Sequence, residues 1–190
     1  MLRADSHSAA QQRRAPAGGG AHEQAQQYLA FVLSGEVFAI GISSIKEIIQ
    51  YQHLSTVPMM PGYVRGVINL RGAVVPVLDL SVRFGKPASP VTKRTCIVII
   101  ETDAGGERHD VGLVVDAVNA VLDIPADEIE PPPSFGARIH SDFIRGMGKL
   151  DGKFVILLDV NRVLAAEELL ALREVNETSP SGGPMNGNDH

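Results

Sequence analysis

An internal repeat constrains the fold of this 190-residue chain more than any other feature of its sequence. Residues 65–80 and 145–160 align without gaps, and Arg-Gly, a second glycine and a closing Leu-Asp recur in place. Upstream of these segments, Gly41 and Gly112 each stand between aliphatic residues, in the same order. Such a repeat predicts two similar units, at about residues 28–90 and 91–160. Each unit is too small for a generous core of its own, so we expect the two to pack on each other.

Short runs of β-forming residues, separated by turn residues, predict a mainly β fold built from small barrels. The expected strands are residues 28–33, 37–42, 67–70, 73–78, 95–101, 111–115, 117–122 and 154–158. Residues 45–50 fit either a short helix capped by Ser43 and Ser44 or a β-branched strand. Pro76 interrupts a strand pattern, which predicts an edge strand or a bulge. Only residues 161–172 have clear helical spacing of apolar side chains.

Both ends of the chain are polar and poor in residues that could be buried. We therefore expect residues 1–27 and 174–190 to be disordered around a folded region at 28–173. The N-terminal residues lack the apolar segment of a signal peptide, and no run of about 18 apolar residues occurs anywhere. The expected location is the cytoplasm, without insertion into the membrane.

The sequence contains no motif that predicts catalysis or cofactor binding. It lacks paired His or Cys ligands at zinc spacing, phosphate-binding glycine loops and a nucleophile elbow. The formal net charge of -5, without basic clusters, argues against nucleic acid as a partner. The single cysteine, Cys96, lies in an apolar run and is expected to pack as a small buried hydrophobe. We therefore predict a protein with no enzymatic activity, no cofactor and no metal.

Two aspartates and two further charges are the polar residues of interest. Asp79 and Asp159 end equivalent strands of the repeat and are expected to be helix N-caps. The competing hypothesis, a catalytic pair, requires both carboxylates in one cleft, about 5–10 Å apart. Arg71 lies at an expected hairpin tip, and Glu47 lies among isoleucines. These two charges could be solvated, or they could pair and frame an apolar binding patch.

Residues 57–80, with Asn-Leu-Arg-Gly at 69–72, closely resemble the signature of the CheW family. Segments 38–42, 45–49, 111–116, 145–148 and 156–160 also match its pattern, so the resemblance covers 28–173. It implies two intertwined five-stranded barrels resembling SH3 domains, with a C-terminal helix at 161–173. It also implies a non-catalytic adaptor that couples chemoreceptors to the histidine kinase CheA in chemotaxis signal transduction. Some similar proteins serve arrays with other outputs, such as surface motility.

The resemblance also assigns the binding residues. The receptor tip would contact Ile45, Glu47, Ile48 and Arg71. The regulatory domain of CheA would contact Phe135 and the region of Glu130, a position that is basic in some members of the family. The kinase and adaptor copies would alternate in rings at membrane-associated receptor arrays.

Overall fold

The computed structural model describes residues 25–132, 141–163 and 168. Within these residues the chain is mainly β, as predicted, with two short α-helices. The elements are β1 (Gln26–Leu33), β2 (Glu36–Gly41), β3 (Ile45–Gln50), β4 (Val64–Leu70), β5 (Ala73–Asp79), α1 (Leu80–Arg83), β6 (Cys96–Ala104), β7 (Glu107–Val115), β8 (Ala117–Ile124), β9 (Ile129–Glu130), β10 (Ile144–Leu150), β11 (Lys153–Leu158) and α2 (Val160–Val163). Short 3₁₀ turns cover Ile42–Ser44, Ala126–Glu128 and Ser141–Phe143.

Each of the two sheets combines strands from both halves of the sequence. The first barrel has the strand order β8-β1-β2-β11-β10-β9, and the second has β3-β6-β7-β5-β4. The first hairpin of each half is therefore inserted among the later strands of the other half, through the parallel pairs β2–β11 and β5–β7. The barrels are intertwined, and the sequence division at about residue 90 does not separate them.

The two barrels also correspond to each other in detail. The first has six strands because the two-residue β9 pairs with β10, at Glu130 and Met147. In the second barrel the equivalent pairing is a single bridge between Ser55 and Val67 of β4. This bridge joins the segment that follows β3 to the opposite edge of the sheet, so it helps to close the barrel.

The repeated Arg-Gly dipeptide is explained by close approach of the backbone. A Cβ atom built on Gly66 would lie 2.5 Å from the Ser55 carbonyl oxygen, and one on Gly146 would lie 2.9 Å from that of Glu130. Real Cβ atoms do not approach backbone oxygens so closely. Glycine is therefore required at both positions for the flanking segment to pair with β4 and with β10.

A shared aliphatic and aromatic core joins the two barrels. Phe31 and Phe38 of the first hairpin stack at a centroid distance of 6.1 Å, and Phe38 stacks on Phe84 at 5.8 Å. The same buried cluster contains Val98 and Ile100 of the second barrel. Each such buried side chain contributes about 1.5–3 kcal/mol through removal of apolar surface from water. The exchanged hairpins thus bury residues that hold the two sheets together.

A buried ion pair organises the end of β5. The Asp79 carboxylate is fully buried and accepts hydrogen bonds from the Ser81 N–H (2.9 Å) and from Arg65 Nε (2.9 Å). It also accepts one from the Ser89 N–H at 3.2 Å. Asp159 accepts one from the Asn161 N–H at 3.1 Å. The N-cap interpretation of both aspartates is confirmed, but only Asp79 has the equivalent arginine as its partner.

Some local expectations change in the structure. Residues 45–50 form a strand, the alternative that their β-branched side chains favour. The edge-strand prediction for Pro76 is wrong, because β5 lies between β7 and β4. Proline is tolerated there because pairing with β7 begins only at Val77, and the bulge lies in the facing strand β4.

The predicted ends of the folded region shift slightly. β1 begins at Gln26, two residues before the expected boundary at 28, because it continues its pairing with β8. The C-terminal helix begins at Val160, one residue before the expected 161, directly after its cap Asp159. The remainder of this predicted helix, apart from Glu168, and the predicted disordered tails, apart from residues 25–27, lie outside the described residues.

We expect Asp79→Asn to destabilise the protein much more than Asp159→Asn. The first change leaves the Arg65 guanidinium without its buried counter-ion, which costs about 3–5 kcal/mol in the free energy of unfolding. The second replaces a partly exposed carboxylate with an amide that caps helices about equally well, so we expect it to cost about 0.5 kcal/mol or less. Denaturant unfolding of both variants measures the difference. Equal losses would contradict the special role of the buried pair.

Candidate binding surface

The strand β3 forms an edge of the second barrel and pairs with β6 alone. Its pairing contains a bulge between Ile45 and Glu47. Because of this bulge, Ile45 and Ile48 lie opposite Ile100 and Val98, two residues of the shared core, and so fall on the same face of β3 although they are three residues apart. Glu47 and Ile49 fall on the other face, where Ile49 packs on the interior of the second barrel. The unpaired edge of β3 faces away from β6.

Arg71 and Glu47 form an ion pair, which is one of the two alternatives that the sequence allowed. Arg71 Nη2 lies 2.8 Å from Glu47 Oε2, and Nη1 lies 3.1 Å from Oε1. This bidentate contact joins the tip of the β4–β5 hairpin to β3, and so connects the two edges of the second barrel. The Arg71 side chain is 78% exposed, whereas that of Glu47 is 24% exposed. The guanidinium therefore has its far face in solvent while the carboxylate fixes its position.

The Arg71 backbone is strained for a residue with a side chain. Arg71 and Gly72 form a two-residue turn between the paired residues Leu70 and Ala73. Both turn residues have positive φ, +52° and +84°, and the Asn69 side chain accepts a hydrogen bond from the Gly72 N–H. Such turns favour asparagine, aspartate or glycine at the first position. Arg71 thus adopts a backbone conformation that these residues adopt more readily.

Several aliphatic side chains on β3, beside it and on β5 are exposed. Ile48 is 42% exposed, and Ile45 is partly buried against the shared core. Sequence analysis missed two further exposed residues, Ile42 at 39% and Val74 at 43%. Ile42 is joined to Ile45 by a backbone hydrogen bond across the 3₁₀ turn. The spacing of three among Ile42, Ile45 and Ile48 was a signal that could have found the first of these.

Lys46, at the bulge, is the cation of β3. Its Nζ lies 2.9 Å from Asp110 and 3.8 Å from Glu101. The pKa of Lys46 is raised, chiefly by the hydrogen bond to Asp110. Its charge is thus balanced by carboxylates of the neighbouring strands β6 and β7.

Glu130, one of the two residues predicted to contact the kinase, lies away from β3. Glu130 lies in β9, at the edge of the first barrel, and its side chain is exposed. The structure does not bring it together with the residues of β3. Phe135 lies outside the described residues.

The described residues offer no arrangement typical of catalysis. Asp79 is fully buried in its ion pair with Arg65, whereas Asp159 borders a separate cleft that Asp79 does not line. The two carboxylates therefore do not share a site. No group of three or more metal-ligating side chains occurs in the part of the chain described here. Burial raises the pKa of the Cys96 thiol, which disfavours the nucleophilic thiolate.

The helices described here include none that is both long and apolar enough to cross a membrane.

We expect Arg71→Asn to leave the free energy of unfolding within about 1 kcal/mol of the parent value. The variant loses a largely exposed ion pair but gains a residue that the turn prefers. Asp151→Asn, at the equivalent turn of the first barrel with φ of +50°, is the matched control. Denaturant unfolding measures both. A loss of several kcal/mol at Arg71 alone would make it a structural residue.

Known proteins resemble this chain over most of its length. Residues 27–168 match the CheW-like domain. The chain is 33% identical over 150 residues to the chemotaxis protein CheW of Klebsiella aerogenes, covering 79% of this chain and 88% of that protein. It is 34% identical over 143 residues to the chemotaxis protein CheW of Bacillus subtilis, covering 75% and 88%.

A solved structure supports the same assignment. The scaffolding protein TtCheW of Thermoanaerobacter tengcongensis superimposes with a TM-score of 0.67 at 32% sequence identity, covering 73% of this chain and 92% of that one. The SH3-like two-barrel fold, the family match and the sequence identities agree. The chain therefore belongs to the CheW family of chemotaxis scaffold proteins.

Proposed function

We propose that this chain is a non-catalytic adaptor that couples chemoreceptors to the histidine kinase CheA. The observation that carries the proposal is the bidentate Arg71–Glu47 pair, held beside exposed aliphatic residues at an edge of the second barrel. A guanidinium anchored on one side and exposed on the other is suited to orient a protein partner. Family membership supports the identity of the two partners.

The β3 surface has the properties expected of a site for a helical receptor tip. Ile42, Ile45 and Ile48 present an apolar strip, and an amphipathic helix recognises such a strip through its apolar face. Arg71 and Glu47 lie at the edge of the strip, where charged groups contribute specificity and orientation more than affinity. In this proposal the receptor buries apolar side chains on the isoleucines and aligns itself against the guanidinium.

We place the kinase contact on the first barrel. Glu130 lies at the far edge strand of that barrel, and Phe135 follows a run of three prolines that restricts the backbone. Because the two proposed surfaces use edge strands of different barrels, one molecule can hold both partners at once. The chain would then act in the cytoplasm, in rings with the kinase at receptor arrays.

The direct test of the function is a reconstituted kinase assay. Purified protein alone should neither hydrolyse nucleotides nor transfer phosphate, because its proposed role is to hold the partners together. Added to CheA and a receptor cytoplasmic fragment, it should raise kinase autophosphorylation above the level reached without it. Autophosphorylation that does not depend on the protein would contradict the adaptor role.

We expect Arg71 and Glu47 to act as a coupled pair in receptor binding. Arg71→Ala and Glu47→Ala should each weaken receptor binding by about 2–5 kcal/mol, because each leaves one charge without its partner once the bound receptor excludes water from the pair. The double variant should lose less than the sum, and CheA binding should change little. Titration with a receptor fragment and with the CheA regulatory domain measures these values. Asp151→Ala, at the equivalent hairpin tip, is the control.

Strictly additive losses would reject the coupling between the two residues. Normal receptor binding by Arg71→Ala would reject the site itself.

We expect Phe135→Ala to weaken assembly with the kinase while the free energy of unfolding stays close to that of the parent. The physical basis of this expectation is the neighbouring proline run, which can present an aromatic side chain at little cost in conformational entropy. Co-sedimentation of arrays and denaturant unfolding measure the two effects. Equal losses of assembly and stability would instead place Phe135 in the core.

A further inference from the structure

The two hairpins that contain the sequence repeat end in the same kind of two-residue turn. In the β4–β5 hairpin the turn is Arg71-Gly72, and in the β10–β11 hairpin it is Asp151-Gly152. The first turn residue has a φ of +52° at Arg71 and +50° at Asp151, and the glycines follow at +84° and +75°. The two turns therefore share these positive φ angles but differ in the side chain at the first position.

Only the turn of the first barrel has a first residue that favours this conformation by itself. Asparagine, aspartate and glycine are the usual first residues of such turns. A short polar side chain can form a local hydrogen bond there, whereas a longer side chain meets the steric cost of positive φ without that compensation. Asp151 meets this preference and Arg71 does not. The Arg71 turn therefore needs a further contact to hold its conformation.

Asn69 supplies such a contact from the strand that precedes the turn. Its Oδ1 accepts a hydrogen bond from the Gly72 N–H at 3.0 Å. Gly72 lies between the paired ends of β4 and β5, so strand pairing alone provides no acceptor for this N–H. The equivalent of Asn69 in the repeat is Lys149, whose side chain has donors but no acceptor. The contact is therefore particular to the turn that contains arginine.

The hydrogen bond from Gly72 acts on the backbone of the residue whose side chain Glu47 holds. Arg71 Nη2 lies 2.8 Å from Glu47 Oε2, on the strand at the opposite edge of the sheet. A change in φ at Arg71 would swing its whole side chain, so the two-point contact with Glu47 requires the turn to keep its conformation. Asn69 itself is exposed, so it has no role in packing the core.

We propose that Asn69 is a positioning residue for Arg71. By holding the Gly72 N–H it fixes the turn in the conformation that directs the guanidinium onto Glu47. Without this hydrogen bond the turn relaxes towards negative φ and the guanidinium leaves Glu47 for solvent. The positioning concerns the protein without a partner, whereas its consequence for receptor binding rests on the proposed function.

Two variants separate the hydrogen bond from the shape of the side chain. Asn69→Thr keeps a neutral oxygen acceptor, whereas Asn69→Val has the same branched shape without one. Both residues suit an exposed position of a β-strand, so both variants should fold. The measurement is ¹⁵N NMR of the free protein, which detects slowed rotation about the Nε–Cζ bond of a paired guanidinium. The signals of Arg71 are assigned by their loss in Arg71→Asn.

In Asn69→Val the Arg71 guanidinium should rotate as fast as in Glu47→Ala, and the Gly72 amide proton should exchange faster with solvent. Asn69→Thr should keep the slow rotation. Lys149→Val, at the equivalent position of the first barrel, is the matched control and should leave Arg71 unchanged. Equal behaviour of the Thr and Val variants, or slow rotation in Asn69→Val, would overturn the proposal. Fast rotation in the parent protein would overturn it as well.

Titration with a receptor cytoplasmic fragment tests the consequence for binding. Asn69→Val should weaken binding roughly three- to tenfold, as expected for the loss of one hydrogen bond, and Asn69→Thr should weaken it less. If Arg71→Ala binds normally, the proposed receptor site is rejected, while the guanidinium signals still decide the role of Asn69. If Arg71→Ala loses binding but Asn69→Val binds like the parent, the receptor does not depend on the positioning, and that consequence is rejected.

Discussion

The exchange of hairpins between the two halves is the constraint on which the rest of the structure depends. The β1–β2 hairpin completes the barrel formed by the later strands of the second half, and the β6–β7 hairpin completes the other. Neither barrel can therefore close from contiguous sequence. The phenylalanines of the first hairpin then share one core with Val98 and Ile100 of β6, which fixes the barrels relative to each other.

This arrangement determines which surfaces are left for binding. β3 pairs only with the inserted hairpin and remains an edge, while the β4–β5 hairpin reaches across to it through Arg71 and Glu47. The buried Arg65–Asp79 pair anchors the far end of that hairpin. That hairpin is consequently held at both ends by charged contacts, a buried one at its base and an exposed one at its tip.

Much of this could be predicted from sequence, and the limits have physical causes. Local residue chemistry correctly indicated the N-caps Asp79 and Asp159 and the turn at Arg71, because each depends on a few neighbouring residues. The repeat predicted two units along the sequence, but each sheet combines strands from both halves. Pairing of hairpins across the halves could not be read from periodicity, since equivalent strands present the same apolar pattern to either partner. Their intertwining was expected only from the family resemblance.

Details that depend on strand pairing in the folded protein also could not be predicted from the sequence. The bulge that brings Ile45 and Ile48 to one face depends on the pairing of β3 with β6. The exposure of Ile42 and Val74 depends on which residues cover them in the folded barrel. The two halves repeat Arg-Gly and Leu-Asp alike, yet only Arg65 reaches its aspartate in a buried pair. The two copies of this motif therefore differ in burial, because the segment at Ser89 contacts Asp79 in the second barrel.

In the proposed function, the β3 edge and the Arg71 turn form the receptor surface. An NMR titration of the ¹⁵N-labelled protein with a receptor cytoplasmic fragment tests this directly. We expect the amide signals of Ile45, Glu47, Ile48 and Arg71 to shift together with one saturation curve, while signals of the β10–β11 turn stay in place. Shifts confined to β9, β10 and β11, with β3 unaffected, would contradict it.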